Sequence, residues 1–246
     1  MMASGRSTLG RAEAYGFLWY TLSGLWLSIY LAVTLISGLR HPISPVSRIL
    51  LLVLACLCAY LGARLPRPGE QVAMSVKAGR VRRVMWLCFA LYLHLVLTFT
   101  LFDPGMGRNF FYFLHATAED RAYYTQWHIN LTPLHTIRTV YLNGYRNGYI
   151  TAGSLLLNLA GNLFVFAPLA FFIPYLWRGK HPFLRFFSLT LIAVLSVELC
   201  QLALMCGSCD VDDVILNLGG ALIAYLLLRL PLVRRMVARV VAQPNG

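Results

Sequence analysis

The segment CGSCDVDDVILNLGG, residues 206–220, holds the densest chemistry in the chain. Asp210, Asp212 and Asp213 fall within four residues beside the pair Cys206 and Cys209. Two helix-spaced neighbours extend the set. Glu198 and Gln201 are three apart and share a face; Asp213 and Asn217 are four apart and share another. Asn158 and Asn162 make a third such pair. Carboxylates at these positions can work as general acid and base if burial splits their pKa values, with Glu198, Asp210 and Asp213 as the catalytic candidates. As oxygen donors, Asp210, Asp212, Asp213 and Glu198 also suit a divalent cation such as Mg²⁺, Mn²⁺ or Ca²⁺, and His128 or His135 would tilt the choice toward Zn²⁺. A metal there would activate a phosphate or sugar-phosphate as a Lewis acid. The amides Asn158, Asn162, Gln201 and Asn217 are candidates for substrate binding, with Arg138 to meet an anionic headgroup.

A plainer reading competes with each of these. Asn and Gln glue membrane helices together through hydrogen bonds, and Asp213 can cap a helix from its N-terminus. A buried Glu is harder to explain without a function, because an ionisable group at membrane depth costs a few kcal/mol. The C-x-x-C pair raises thiol redox chemistry, where a helix N-terminus can lower a thiol pKa. The other cysteines, Cys56, Cys58, Cys88 and Cys200, lie in apolar runs and read as fillers, so no relay partner accompanies the pair.

The elements that carry these residues are membrane helices. Of 246 residues, 59% are hydrophobic and 12% charged, with a mean hydropathy of +0.66. A soluble protein of that composition would lack polar surface. Runs suited to a bilayer core of ~30 Å occur at Phe17–Ser37, Ile49–Ala63, Val84–Phe102, Ser154–Pro174, Leu184–Met205 and Val214–Leu230. Ile49–Ala63 is short and must borrow from its flanks or distort the bilayer. The first run is long for a signal peptide and ends without a small-residue cleavage site, so an uncleaved anchor is expected. His94 sits inside the third run and reads as a hydrogen bonder within the bundle. The expected fold is all-α: a polytopic membrane helix bundle of about six transmembrane helices with an outward-facing, aromatic-rich cap at 103–153. Two membrane helices at 1–83, a membrane domain at 84–230 and a basic tail at 231–246 divide the chain.

Six spans put Arg40, Arg48, Arg108, Arg121, Arg138 and Arg146 on one side, leaving 15 of the 21 basic residues on the other. The positive-inside rule makes the richer side, with both termini and the tail, cytoplasmic. The +12 charge is then topology and attraction to anionic lipid, not a nucleic-acid footprint. There is no P-loop, nucleophile elbow or H-E-x-x-H, and no sign of the inverted repeats of a transporter.

Three stretches carry a resemblance: NLTPLHTIRTVY from Asn130, NLAGNLFVFAPLAFFIP from Asn158, and VELCQLALMCGSCDVDDVILNLGGALIAY from Val197. In this order, over about residues 85–230, they resemble the VanZ-like membrane family, associated with teicoplanin resistance. The resemblance implies a multi-pass protein of the bacterial plasma membrane acting near lipid-linked envelope precursors or glycopeptides, and adds Asn130 to the substrate-binding candidates. It implies no particular reaction. A membrane adaptor or lipid-binding protein without catalysis fits it as well. Members of that family usually carry an Arg shortly before the aspartates; Gly207 stands there in this chain, so no anion pairing is expected at that point.

Overall fold

The computed structural model describes residues 3–39, 44–65, 74–106, 108 and 110–241. Arg40, Arg67 and the end of the basic tail at 242–246 lie outside the described residues, as do the side chains of Arg6 and Arg11. The chain is an all-α polytopic bundle, and six helical stretches are long and apolar enough to cross a membrane: Tyr15–Ile36, Pro45–Arg64, Ala78–Phe102, Ala152–Leu176, Pro182–Ala203 and Val211–Arg229. All six expected runs are found, lengthened or shifted by a few residues. The short second run gains its length from its flanks: helix α2 (Pro45–Arg64) has 20 residues, about 30 Å at ~1.5 Å per residue.

Two compact units divide the chain, Met1–Leu95 with Arg234–Gly246, and Val96–Val233. In the first, α1 (Ala3–Leu39) packs along α2. Gly62 permits the close approach, since a Cβ there would stand 3.1 Å from the Tyr20 ring. Ser23 donates its hydroxyl to the Ala55 carbonyl at 2.9 Å, satisfying a polar group that lipid would not. Pro45 begins α2 at a position where its missing N–H costs nothing, and Leu65 leaves the helix as an extended residue ahead of Pro66. On α3 (Met74–Leu97), His94 Nδ1 meets the hydroxyl of the buried Tyr30 at 2.9 Å, so the expected hydrogen bond is present, while the imidazole itself is exposed.

The second unit positions the polar residues. The third span ends in a π-helical turn, Thr98–Phe102. Short helices α4 (Phe110–His115) and α5 (Ala118–Trp127) follow. A capping box starts α5: Thr117 accepts from the Asp120 N–H at 3.2 Å, and Asp120 accepts from the Thr117 N–H at 2.9 Å. Those bonds hold the Asp120 carboxyl below its ordinary pKa. A second π-helical turn, Ile137–Leu142, runs into α6 (Asn143–Arg146). The fourth span comprises α7 (Ala152–Val165) and α8 (Leu169–Leu176), broken where Pro168 lacks the N–H that would continue the ladder. Then come α9 (Pro182–Ala203) and α10 (Val211–Arg229), with α11 (Pro231–Val241) after it. Helices α7 and α10 cross in direct contact at Gly220, where an added Cβ would stand 1.7 Å from the Leu163 carbonyl oxygen.

One feature has no counterpart in the periodicity. Strands β1 (Ile129–Asn130) and β2 (Cys209–Asp210) pair in parallel, Ile129 opposite Cys209 and Asn130 opposite Asp210. Two residues per strand are too few to leave an alternating pattern in sequence.

Candidate functional site

The β1–β2 pairing joins two segments 80 residues apart, and the aspartates complete the junction. Asp210 caps α10 by accepting the Asp212 N–H at 2.8 Å. Its carboxylate also takes the Asn130 amide at 3.0 Å and the Thr136 hydroxyl at 2.5 Å. Asp212, with no exposed surface, accepts the N–H of Ile137 at 3.1 Å and that of Leu134 in a short hydrogen bond. Leu134 sits at φ +62°, in the left-handed region a Leu rarely enters, so the Asp212 bond holds a strained backbone in place. Asn130 Oδ1 closes a local turn on the Thr132 N–H at 3.0 Å. NLTPLHT and DVDD are thus two halves of one clasp.

Glu198 and Asp213 stand differently. Glu198 is buried and accepts the Asp210 N–H at 3.2 Å, the single hydrogen bond it makes among the described residues. Asp213, half-buried in the first turn of α10, accepts a short hydrogen bond from the Asn162 amide. Gln201 is buried and donates to the Thr100 carbonyl at 3.0 Å, which the π-helical turn presents to it. Asn217 is also buried, and its side-chain oxygen has no hydrogen-bond partner among the described residues.

Chain direction into the clasp is set by Met205, which ends α9 at φ +51° and lets the Cys206 N–H return to the Gln201 carbonyl at 2.9 Å. The CGSC loop then gives its backbone to the cap. Arg108 Nη1 donates to the Cys206 carbonyl at 2.8 Å, the Tyr124 hydroxyl donates to the Gly207 carbonyl at 2.9 Å, and the Cys209 N–H donates to the His128 carbonyl at 2.8 Å. Arg108 is the residue at this junction that sequence reasoning missed. A Cβ on Gly207 would stand 2.6 Å from its Nη1, so the glycine makes room for the guanidinium. An arginine from elsewhere in the chain thus stands beside Gly207, its guanidinium bonded to the Cys206 carbonyl. Its charge acts on Glu198, Asp213, Tyr124 and Tyr141. Burial, with the charges of Asp213 and Asp210, pushes the Tyr141 hydroxyl up to about 12 against the opposing pull of Arg108.

Some expected members stay apart. Asn158, one turn before Asn162, is exposed and donates to the Ser154 carbonyl of its own helix at 2.8 Å. Arg138 is exposed on the π-helical turn. His135 is exposed, while His128 stacks on the Tyr124 ring at 3.6 Å between centroids. The expected ligand set of Glu198, Asp210, Asp212 and Asp213 does not converge: among the described residues no three His, Cys, Asp or Glu side chains group so as to hold a metal ion. The reason is local, since backbone N–H, hydroxyl and amide donors already occupy both oxygens of Asp210 and Asp212. Cys206 and Cys209 are free thiols, and burial pushes both above the ordinary thiol value, opposite to an activated redox pair.

Residues 89–234, from the third span through α10, match the VanZ/LLP1 family. The chain belongs to the VanZ/LLP1 family. Comparison with curated proteins and with solved structures returns no match. The family match takes in both halves of the clasp, Glu198, Asp213 and Asn162, and leaves α1 and α2 outside it.

Proposed function

We propose that this VanZ/LLP1 protein binds the polar part of a lipid-linked or glycopeptide-related envelope molecule at the Glu198–Asp213–Asn162 site. It does so on the outer face of the bacterial plasma membrane, with both termini cytoplasmic. One observation carries the reading. Asp210 and Asp212 are consumed by the clasp, whereas Asp213 and Glu198 each hold a single protein donor and keep capacity for a ligand. A carboxylate and an amide one hydrogen bond apart can accept from and donate to a sugar or peptide headgroup, and Arg108 and Arg138 can meet its anionic group. Asn217, with its buried unpartnered oxygen, belongs to the same set. If the ligand is also transformed, Glu198 and Asp213 are the general acid and base, with Asp210 positioning Glu198 through its backbone N–H and Asn162 holding Asp213.

A second reading, a non-catalytic adaptor, is favoured by the cap surface, where Tyr123, Trp127 and Tyr149 are 68%, 67% and 83% exposed. Aromatics presented this way suit a headgroup layer or a partner protein. Complementation of a deletion strain separates the readings, with teicoplanin susceptibility and protein level as readouts. Glu198→Gln and Asp213→Asn proteins, present at normal level, lose function if the polar site acts. Full function in both would leave the adaptor.

A further inference from the structure

Independently of that site, the other end of α10 carries a surface of a different kind. Spans α2 and α10 end alike, in Tyr60-Leu-Gly-Ala-Arg64 and Tyr225-Leu-Leu-Leu-Arg229. In each, the arginine lies over the tyrosine four residues earlier, 5.6 Å from the Tyr60 ring and 4.7 Å from the Tyr225 ring. Tyrosine with a snorkelling arginine marks the layer where hydrocarbon gives way to headgroups. Helix α11 begins two residues after Arg229, past Leu230. Within the first unit, its Arg239 carbonyl accepts from Arg64 Nη2 at 3.4 Å.

At 3.6 residues per turn, α11 is two-faced. Leu232, Val233, Met236 and Val237 lie on one side; Arg234, Arg235 and Arg239 lie on the other, with no acidic residue in the helix. Leu232 is 72% and Met236 58% exposed. Val233 and Val237 beside them are half-buried. Water would leave Leu232 and Met236 uncovered, whereas a bilayer surface covers them and offers phosphates to the arginines.

We propose that α11 lies in the membrane plane as a binding helix for anionic lipid headgroups, its apolar face in the acyl boundary and its three arginines on the phosphates. The test uses the full chain, one copy per nanodisc, in phosphatidylcholine alone or with phosphatidylglycerol, reading hydrogen–deuterium exchange of residues 231–241. Exchange should slow by about tenfold or more when phosphatidylglycerol is present, since each basic residue near an anionic surface contributes a several-fold preference. Added salt should shrink the difference. The Arg234→Gln/Arg235→Gln/Arg239→Gln variant should exchange equally in both discs, and Leu232→Ser/Met236→Ser should exchange fast in both. Equal exchange of the unaltered chain in the two lipids overturns the proposal, as does a triple variant that keeps the lipid dependence. Slowing that requires two copies per disc overturns it too, and assigns the face to a second copy.

Discussion

The two ends of α10 hold opposite charge and treat it in opposite ways. At the N-terminal end, Asp210 and Asp212 are buried and matched to donors within the chain, so the negative charge is spent inward on an Asn130–Ile137 loop. At the C-terminal end, Arg229 rests on Tyr225, and the arginines of α11 are exposed. Both signs agree with the helix dipole, but only the inward charges build tertiary structure. Internal matching makes a residue structural, while a neighbour such as Asp213, with one donor from the chain, keeps unmatched acceptor capacity.

That contrast breaks most visibly at Asp212. Asp212→Ala removes the acceptor of two backbone N–H groups and releases the strained Leu134, with an expected cost of roughly 3–5 kcal/mol, since bonds to a charged acceptor are worth ~1.5–3 kcal/mol each. Thermal unfolding in detergent should show it as a large fall in Tm. Gly220→Ala should come next. Its Cβ would collide with the Leu163 backbone and force α7 from α10, an overpacking cost of about 1–3 kcal/mol or more. The same unfolding assay reads it.

The basic end predicts much smaller effects on folding. Arg234→Gln with Arg235→Gln should move detergent stability by less than about 0.5 kcal/mol, as exposed substitutions do. The thiols should be smaller still. With both pushed above the ordinary value, alkylation of Cys206 and Cys209 by iodoacetamide should be slow at pH 8 and accelerate as pH rises past 9, where thiolate forms. Mass spectrometry of the labelled peptides follows both.

Sequence periodicity found all six spans because a bilayer imposes length and apolarity on each one. It also singled out Asn162 and Asp213, which meet in a hydrogen bond, since i to i+4 spacing on α7 and α10 is local information. The parallel bridge escaped it, being two residues long and closed between segments 80 apart. Arg108 escaped it for a similar reason: its place is set by a long-range hydrogen bond and by the space at Gly207, neither written in its neighbours. Which donors hold the aspartate oxygens was not legible either, because composition shows the oxygens but not their long-range partners.

A paired measurement goes to the centre of the account: thermal unfolding of Asp212→Ala beside Asp213→Ala in the same detergent. Asp213 gives up one amide bond and Asp212 gives up the clasp. A large fall for Asp212→Ala with a small one for Asp213→Ala is predicted. Equal losses, or a greater loss at Asp213, would contradict the division between structural and available carboxylates.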